Sequence, residues 1–140
     1  NDRKVILLCD KAENYFYKIT PNTLPLKWFQ GVAYFRSGDI VKANELFEKA
    51  KEETPYEVRV LNDYATTLVL LKKNDEAKNI LCDCLKIDPY FDDAKFNLAA
   101  IYVFTNQHDS ALYYVNLCSD SQKKTDYLNE IHQILTKKQN

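Results

Sequence analysis

The sequence predicts an all-α protein, built as an α-solenoid of antiparallel helix pairs that ends in a capping helix. The main observation is a period of 34 residues, which places prolines at Pro21, Pro55 and Pro89. Alanines recur at the same interval, at Ala43, Ala77 and Ala111. The 140 residues contain only 2 glycines, too few for the many tight turns of a β-rich chain. A fixed period of this length is typical of repeat proteins whose neighbouring units share a core.

The chain begins with half a repeat, residues 1–21. Residues 3–19 have the pattern of the second helix of a preceding pair, and this helix is predicted to end at Thr20-Pro21, in register with the later prolines. Its aromatic run, Tyr15, Phe16 and Tyr17, is interpreted as core for a preceding helix. Because the chain lacks methionine and starts within a repeat, we expect it to be a fragment of a longer protein.

Three complete repeats follow at residues 24–57, 58–91 and 92–125, and residues 126–140 form the capping helix, so that residues 1–140 make a single domain. Apolar spacing predicts helix pairs at 26–37 and 40–53, at 57–71 and 76–87, and at 91–104 and 109–118. Three aspartates are expected to cap the second helix of each pair: Asp39, Asp75 and Asp109. The last helix closes the stack with an apolar side made of Tyr127, Leu128, Ile131, Ile134 and Leu135.

The repeat resembles the tetratricopeptide repeat, whose signature is W-x2-L-G-x2-Y, then A-x3-F, A and P. The first repeat matches at Gly31, Tyr34, Ala43, Phe47, Ala50 and Pro55, although Lys27 holds the tryptophan column and Trp28 follows it. The second matches at Leu61, Ala65, Ala77, Leu81, Leu85 and Pro89, and the third at Leu98, Ala99, Tyr102, Ala111 and Cys118. The resemblance implies a right-handed superhelix whose first helices line a concave face, and a role as a scaffold for protein–protein interaction.

This concave face is expected to bind a peptide or helix of a partner protein. The predicted binding residues are Trp28, Val32, Phe35, Arg36, Arg59, Asn62, Thr66, Val69, Phe96, Ala100 and Val103. Trp28 and Phe35 are the expected anchors, since rigid aromatic side chains carry much of the energy of interfaces. Arg59 and Asn62, one turn apart, either hold a carboxylate or backbone amide of the bound segment or are solvated.

Clamping of a chaperone carboxy terminus, known in similar repeat domains, is not expected. The positions that would need lysine and asparagine hold Trp28, Val32, Asn62, Asp63, Asp93 and Asn97. Only Asn62 is of the right type.

Composition and motifs argue against catalysis, cofactors, metals and nucleic acid. The 20 acidic and 19 basic residues leave a net charge of -1, so no polybasic field attracts a nucleic acid. Nucleotide-binding, hydrolase and metal-site motifs do not occur in the sequence. The cysteines are interpreted as small, mostly buried thiols: Cys9, Cys82, Cys84 and Cys118. His108, in a predicted turn, is interpreted as solvated. The protein is therefore predicted not to be an enzyme.

Two alternatives remain open. The run from Tyr56 through Tyr114 resembles the repeat tails of bacterial O-antigen polymerase or ligase-type membrane proteins, which would make the chain a regulatory or recruiting C-terminal module. Alternatively, the open N-terminal helix forms a homodimer through residues such as Ile6 and Leu7. No stretch approaches the ~20 apolar residues of a membrane-spanning helix, so no direct membrane insertion is expected. Free thiols favour the cytoplasm, or else a soluble tail on either side of the inner membrane.

Overall fold

The computed structural model describes residues 2–13 and 24–137, and these residues form eight α-helices joined by turns, with no strand among them. The helices are α1 Asp2–Glu13, α2 Leu26–Ser37, α3 Ile40–Glu53, α4 Val58–Leu70, α5 Asn74–Ile87, α6 Asp92–Phe104, α7 His108–Asn116 and α8 Gln122–Lys137. The predicted all-α fold is confirmed.

The chain divides into two compact units, unit 1 (Asn1–Ala77) and unit 2 (Lys78–Asn140), and the point of division lies within α5. In unit 1, α2 packs against both α1 and α3, and α3 packs against α4. In unit 2, α7 packs against both α6 and α8. Each unit therefore contains the predicted packing of a first helix against a second. The boundaries assigned to the repeats stay predictions.

The limits of α2 and α3 agree with the predicted ones. The predicted end of the first helix at Pro21 and the aromatic run 15–17 lie outside the described residues. The capping prediction is confirmed for Asp39, whose Oδ1 accepts the backbone N–H of Lys42 at 3.0 Å. It is wrong for Asp75 and Asp109, which lie inside the first turns of α5 and α7. A 34-residue register places Lys73 and Gln107, not these aspartates, in the slot of Asp39.

The turns between the two helices of each repeat share one backbone geometry. Gly38, Lys72 and Asn106 stand 34 residues apart and have φ values of 89°, 63° and 59°, in the left-handed region. At each turn this residue donates its N–H to the carbonyl three residues earlier, and the next residue donates to the carbonyl five residues earlier. These bonds satisfy the carbonyls that the ending helix leaves unpaired. The left-handed residue thus reverses the chain in all three repeats.

The core of unit 1 depends on a close approach between α2 and α3. Gly31 faces the ring of Phe47, which is 1% exposed, and a Cβ added at Gly31 would lie 2.6 Å from Cε1 of that ring. Ala43 and Ala50, on the same side of α3, are fully buried. Glycine and alanine at this crossing leave the space that the phenylalanine fills.

In unit 2, α8 closes the core with its apolar side. Ile131 is 1% exposed and lies in one buried cluster with Phe96, Ala99 and Val115, against which Tyr127 and Leu128 also pack. α8 begins four residues earlier than predicted, and α7 ends at Asn116. Two lysine ammonium groups take the carbonyls beyond that end. Lys95 Nζ donates to the carbonyl of Leu117 at 3.1 Å, and Lys124 Nζ to that of Cys118 at 2.9 Å.

All four cysteines are free thiols, and three of them are buried, while Cys82 is half-buried. Burial raises the pKa of Cys84 to about 12 and that of Cys118 to about 11, so both stay protonated. None of the helices in the two described segments combines the length and the apolar run that crossing a bilayer requires.

Candidate partner-binding site

The inner side of unit 1 contains a small open cleft of about 160 Å³ between α2, α3 and α4. Its lining residues are Val32, Phe35, Phe47, Asp63 and Thr66. Two come from α2 and two from α4, in each case three residues apart, so that they lie on one face of their helix. The ring of Phe47 forms the floor because Gly31 admits it between the helices. The cleft is therefore mainly apolar and has one carboxylate in its wall.

Trp28 and Asp63 join the first helices of two successive repeats beside this cleft. The indole Nε1–H of Trp28 donates to Oδ2 of Asp63 at 2.8 Å. The indole also meets the ring of Phe29 edge to face, with centroids 5.0 Å apart. Trp28 is half-buried, and these contacts orient its ring, as an interface anchor requires.

The two arginines predicted for the site are exposed, and each faces a carboxylate. Arg59 donates from Nε to Oε1 of Glu57 at 3.0 Å and from Nη2 to Oε2 at 3.2 Å. Arg36 Nε lies 3.6 Å from Oδ1 of Asp2. The guanidinium groups are thus partly neutralised within the protein itself.

Asn62 does not join Arg59 in a carboxylate site, contrary to one reading of the sequence. Its side chain is only 9% exposed, and its backbone carbonyl accepts the hydroxyl of Thr66 at 2.9 Å. The neighbouring first helix covers this column of α4, whereas Thr66 and Val69 remain half-buried. Arg59 lies at the exposed rim, so a ligand carboxylate that reached the guanidinium would not reach the amide.

In unit 2 the predicted site residue Phe96 is not open to a partner. It is 3% exposed, its ring lies 5.0 Å from that of Tyr127, and Lys123 Nζ stands 4.4 Å above it. Lys123 also pairs with Oδ1 of Asp93 at 2.9 Å. α8 therefore covers this part of α6.

The two other site residues predicted on α6 are half-buried. Val103 packs against the cluster that contains Ile131. Ala100 is half-buried as well, so neither side chain offers the large open contact that the sequence suggested for this helix.

Sequence reasoning missed two members of the cleft. Phe47 was expected only in the core, but one side of its ring also faces the cleft. Asp63 was considered only as a position unsuited to a carboxylate clamp. Its place four residues after Arg59, on the same face of α4, was the signal that could have identified it.

The described residues contain no group of three or more His, Cys, Asp or Glu side chains arranged to hold a metal ion. His108, expected in a solvated turn, is instead the first residue of α7 and is half-buried. The chemistry that the cleft offers is apolar contact, hydrogen bonding and the charge of Asp63.

This architecture is the all-α helical repeat of tetratricopeptide repeat proteins. The first TPR of Spaghetti (RPAP3), solved with the HSP90 peptide SRMEEVD, superposes with a TM-score of 0.73 at 18% identity, over 84% of this chain and 97% of that one. The thermophilic TPR protein TTC0263 of Thermus thermophilus gives 0.76 at 14% identity, over 93% of this chain and 72% of that one. At such identities the likeness shows the fold alone.

Residues 58–91, the second predicted repeat, match the family model of the tetratricopeptide repeat. The chain is 28% identical over 102 residues to "Probable UDP-N-acetylglucosamine--peptide N-acetylglucosaminyltransferase SPINDLY" of Hordeum vulgare, which covers 68% of this chain and 11% of that protein. It is 27% identical over 86 residues to anaphase-promoting complex subunit 3 of Schizosaccharomyces pombe, over 61% of this chain and 13% of that protein. The chain thus spans little more than a tenth of either relative. Repeats of this family generally mediate protein–protein interaction.

Proposed function

We propose that the protein is a non-catalytic scaffold that binds a peptide or helix of a partner protein on the inner face of α2 and α4. The observation that carries this proposal is the apolar cleft in unit 1, with Val32 and Phe35 on one wall and Thr66 on the other. An open apolar cleft beside an oriented tryptophan is suited to one anchoring side chain of a partner. The RPAP3 repeat domain, which shares this fold, was solved with a bound peptide.

Within this proposal the residues have different roles. Val32 and Phe35 provide apolar contact, and Trp28 extends that surface with a ring held by Asp63. Arg36, Arg59 and Val69 lie at the exposed or half-buried rim, where they contribute orientation more than affinity. Asn62 and Phe96 support the site from within the fold.

The first experiment is a selection from a display library of random twelve-residue peptides against the 140-residue chain. We expect a convergent family of peptides whose binding is lost in Val32→Glu, because a carboxylate would stand in the apolar cleft. Val41→Glu is the matched control, since Val41 is 60% exposed on α3 and does not line the cleft. Peptides that bind Val32→Glu as well as the native chain would contradict the proposal.

The relative SPINDLY bears the name of a glycosyltransferase, but the chain spans only 11% of it, and we assign this segment the binding role rather than a catalytic one. The alternative of a module on a bacterial O-antigen polymerase or ligase stays a prediction, and no contact among the described residues favours it. Cytoplasmic localisation likewise stays a prediction.

A further inference from the structure

We infer that the cleft of unit 1 selects partner segments in which a lysine or arginine stands next to an aliphatic anchoring side chain. This inference rests on the proposed function and names the chemistry of the segment that binds. It follows from the size of the cleft and from the charge in its wall.

The size of the cleft limits what can enter it. A cavity of about 150 Å³ accommodates a single benzene molecule, so a cleft of this volume takes one side chain rather than a length of backbone. Val32, Phe35 and Phe47 offer that side chain apolar contact. A leucine, isoleucine or valine of the partner would bury apolar area there and leave its own backbone outside.

The charge in the wall comes from Asp63. Its Oδ2 accepts a hydrogen bond from the indole of Trp28, which is neutral and leaves the negative charge in place. A carboxylate has about four lone-pair sites, so this bond does not exhaust its capacity to accept.

The neighbouring charges do not cancel that of Asp63. The pKa of the Arg59 guanidinium is raised, first by its hydrogen bond to Glu57 and to a lesser extent by the charge of Asp63. Glu57, Arg59 and Asp63 together carry two negative charges and one positive charge. The other rim cation, Arg36, lies against Asp2. A cationic group of the partner therefore finds a favourable potential beside the cleft, and a carboxylate does not.

The test compares the peptides selected on the native chain with those selected on Asp63→Asn and Asp63→Lys. The asparagine variant keeps an oxygen that can accept the indole N–H of Trp28, so it removes the charge without removing the hydrogen bond. Circular dichroism and thermal unfolding verify that each variant is folded. The library carries amidated carboxy termini in one arm and free carboxylates in the other.

On the native chain we expect lysine or arginine to be enriched about fivefold or more within four positions of a shared aliphatic residue. Asp63→Asn should keep the aliphatic residue and lose the enrichment, and Asp63→Lys should shift it to aspartate and glutamate. A convergent pool that depends on Val32 but has no cationic bias, or that prefers free carboxy termini, overturns this inference alone. A native selection without any convergent pool overturns both this inference and the proposed function.

Discussion

The indole of Trp28 on α2 and the carboxylate of Asp63 on α4 are joined by a hydrogen bond of 2.8 Å that spans 35 positions of sequence. It links the first helices of two successive repeats at the edge of the candidate cleft. Because the acceptor is ionised, the bond is stronger than one between neutral groups. It therefore contributes both to the stability of unit 1 and to the orientation of the tryptophan.

Replacing Trp28 by phenylalanine should lower the free energy of unfolding by about 1–3 kcal/mol, because the half-buried carboxylate of Asp63 loses a donor. Urea denaturation of Trp28→Phe, Asp63→Ala and the double variant measures the coupling between the two side chains. We expect a coupling energy of about 1 kcal/mol or more. Strictly additive losses would show that the hydrogen bond contributes nothing.

Replacing Lys72 by glycine should raise the free energy of unfolding by about 0.5–1 kcal/mol, since a left-handed conformation costs an L-residue about 1–2 kcal/mol and glycine regains most of this. The reciprocal control is Gly38→Ala, where a Cβ meets no atom within 4 Å and only the backbone conformation changes. That variant should lose about 1 kcal/mol in the same denaturation series. A destabilised Lys72→Gly would show that the turn does not strain lysine.

Replacing Gly31 by alanine should destabilise the chain by about 1–3 kcal/mol, although alanine is the better helix former, because the new Cβ would lie 2.6 Å from the Phe47 ring. Phe47→Leu, combined with it, recreates the residue pair of the next repeat, Ala65 and Leu81, and should restore part of the loss. Thermal unfolding of both variants provides the comparison. A neutral Gly31→Ala would mean that the two helices separate without cost.

The stability of the protein should fall below pH 5, in part through Asp92. Burial by itself would raise the pKa of this carboxyl, but hydrogen bonds from Lys95 Nζ at 2.8 Å and from the Ser119 N–H at 2.9 Å lower it to about 2, from an ordinary 3.8. The folded state therefore favours the ionised form. This contribution is complete above the ordinary pKa and is lost as the pH falls towards 2.

At pH 7 we expect Asp92→Asn to cost about 2 kcal/mol, and the difference from the native chain to shrink as urea unfolding is repeated at lower pH. Asp83→Asn is the control, because Asp83 pairs with Lys86 on the surface and such pairs contribute at most about 1 kcal/mol. A difference for Asp92→Asn that is constant from pH 7 to pH 2.5 would contradict the assignment.

Self-association through α1 stays a prediction with a direct test. Leu7 and Leu8 are 54% and 64% exposed on this helix. If a second copy covers them, light scattering should detect a dimer that Leu7→Glu converts to a monomer, and the control Val41→Glu should leave the dimer intact. A native chain that stays monomeric at high concentration would contradict the prediction.

The sequence alone determined the helices and the small residues at their crossings. The limits of α2 and α3 could be predicted because the turn at Gly38 and the cap at Asp39 are local signals. Where such signals were absent, at the starts of α5 and α8, the prediction differed by two and four residues. The period of 34 likewise predicted that Ala43, Ala77 and Ala111 would be buried, because equivalent positions face equivalent neighbours.

The tertiary structure decided which side chains of the inner face remain open. Asn62 and Thr66 stand one turn apart on α4, yet only Thr66 lines the cleft, and α8 covers Phe96. The bond between Trp28 and Asp63 could not be read from the sequence, since it depends on the rotation and separation of two helices. Periodicity determines the face on which a residue lies, but exposure depends on what packs against that face.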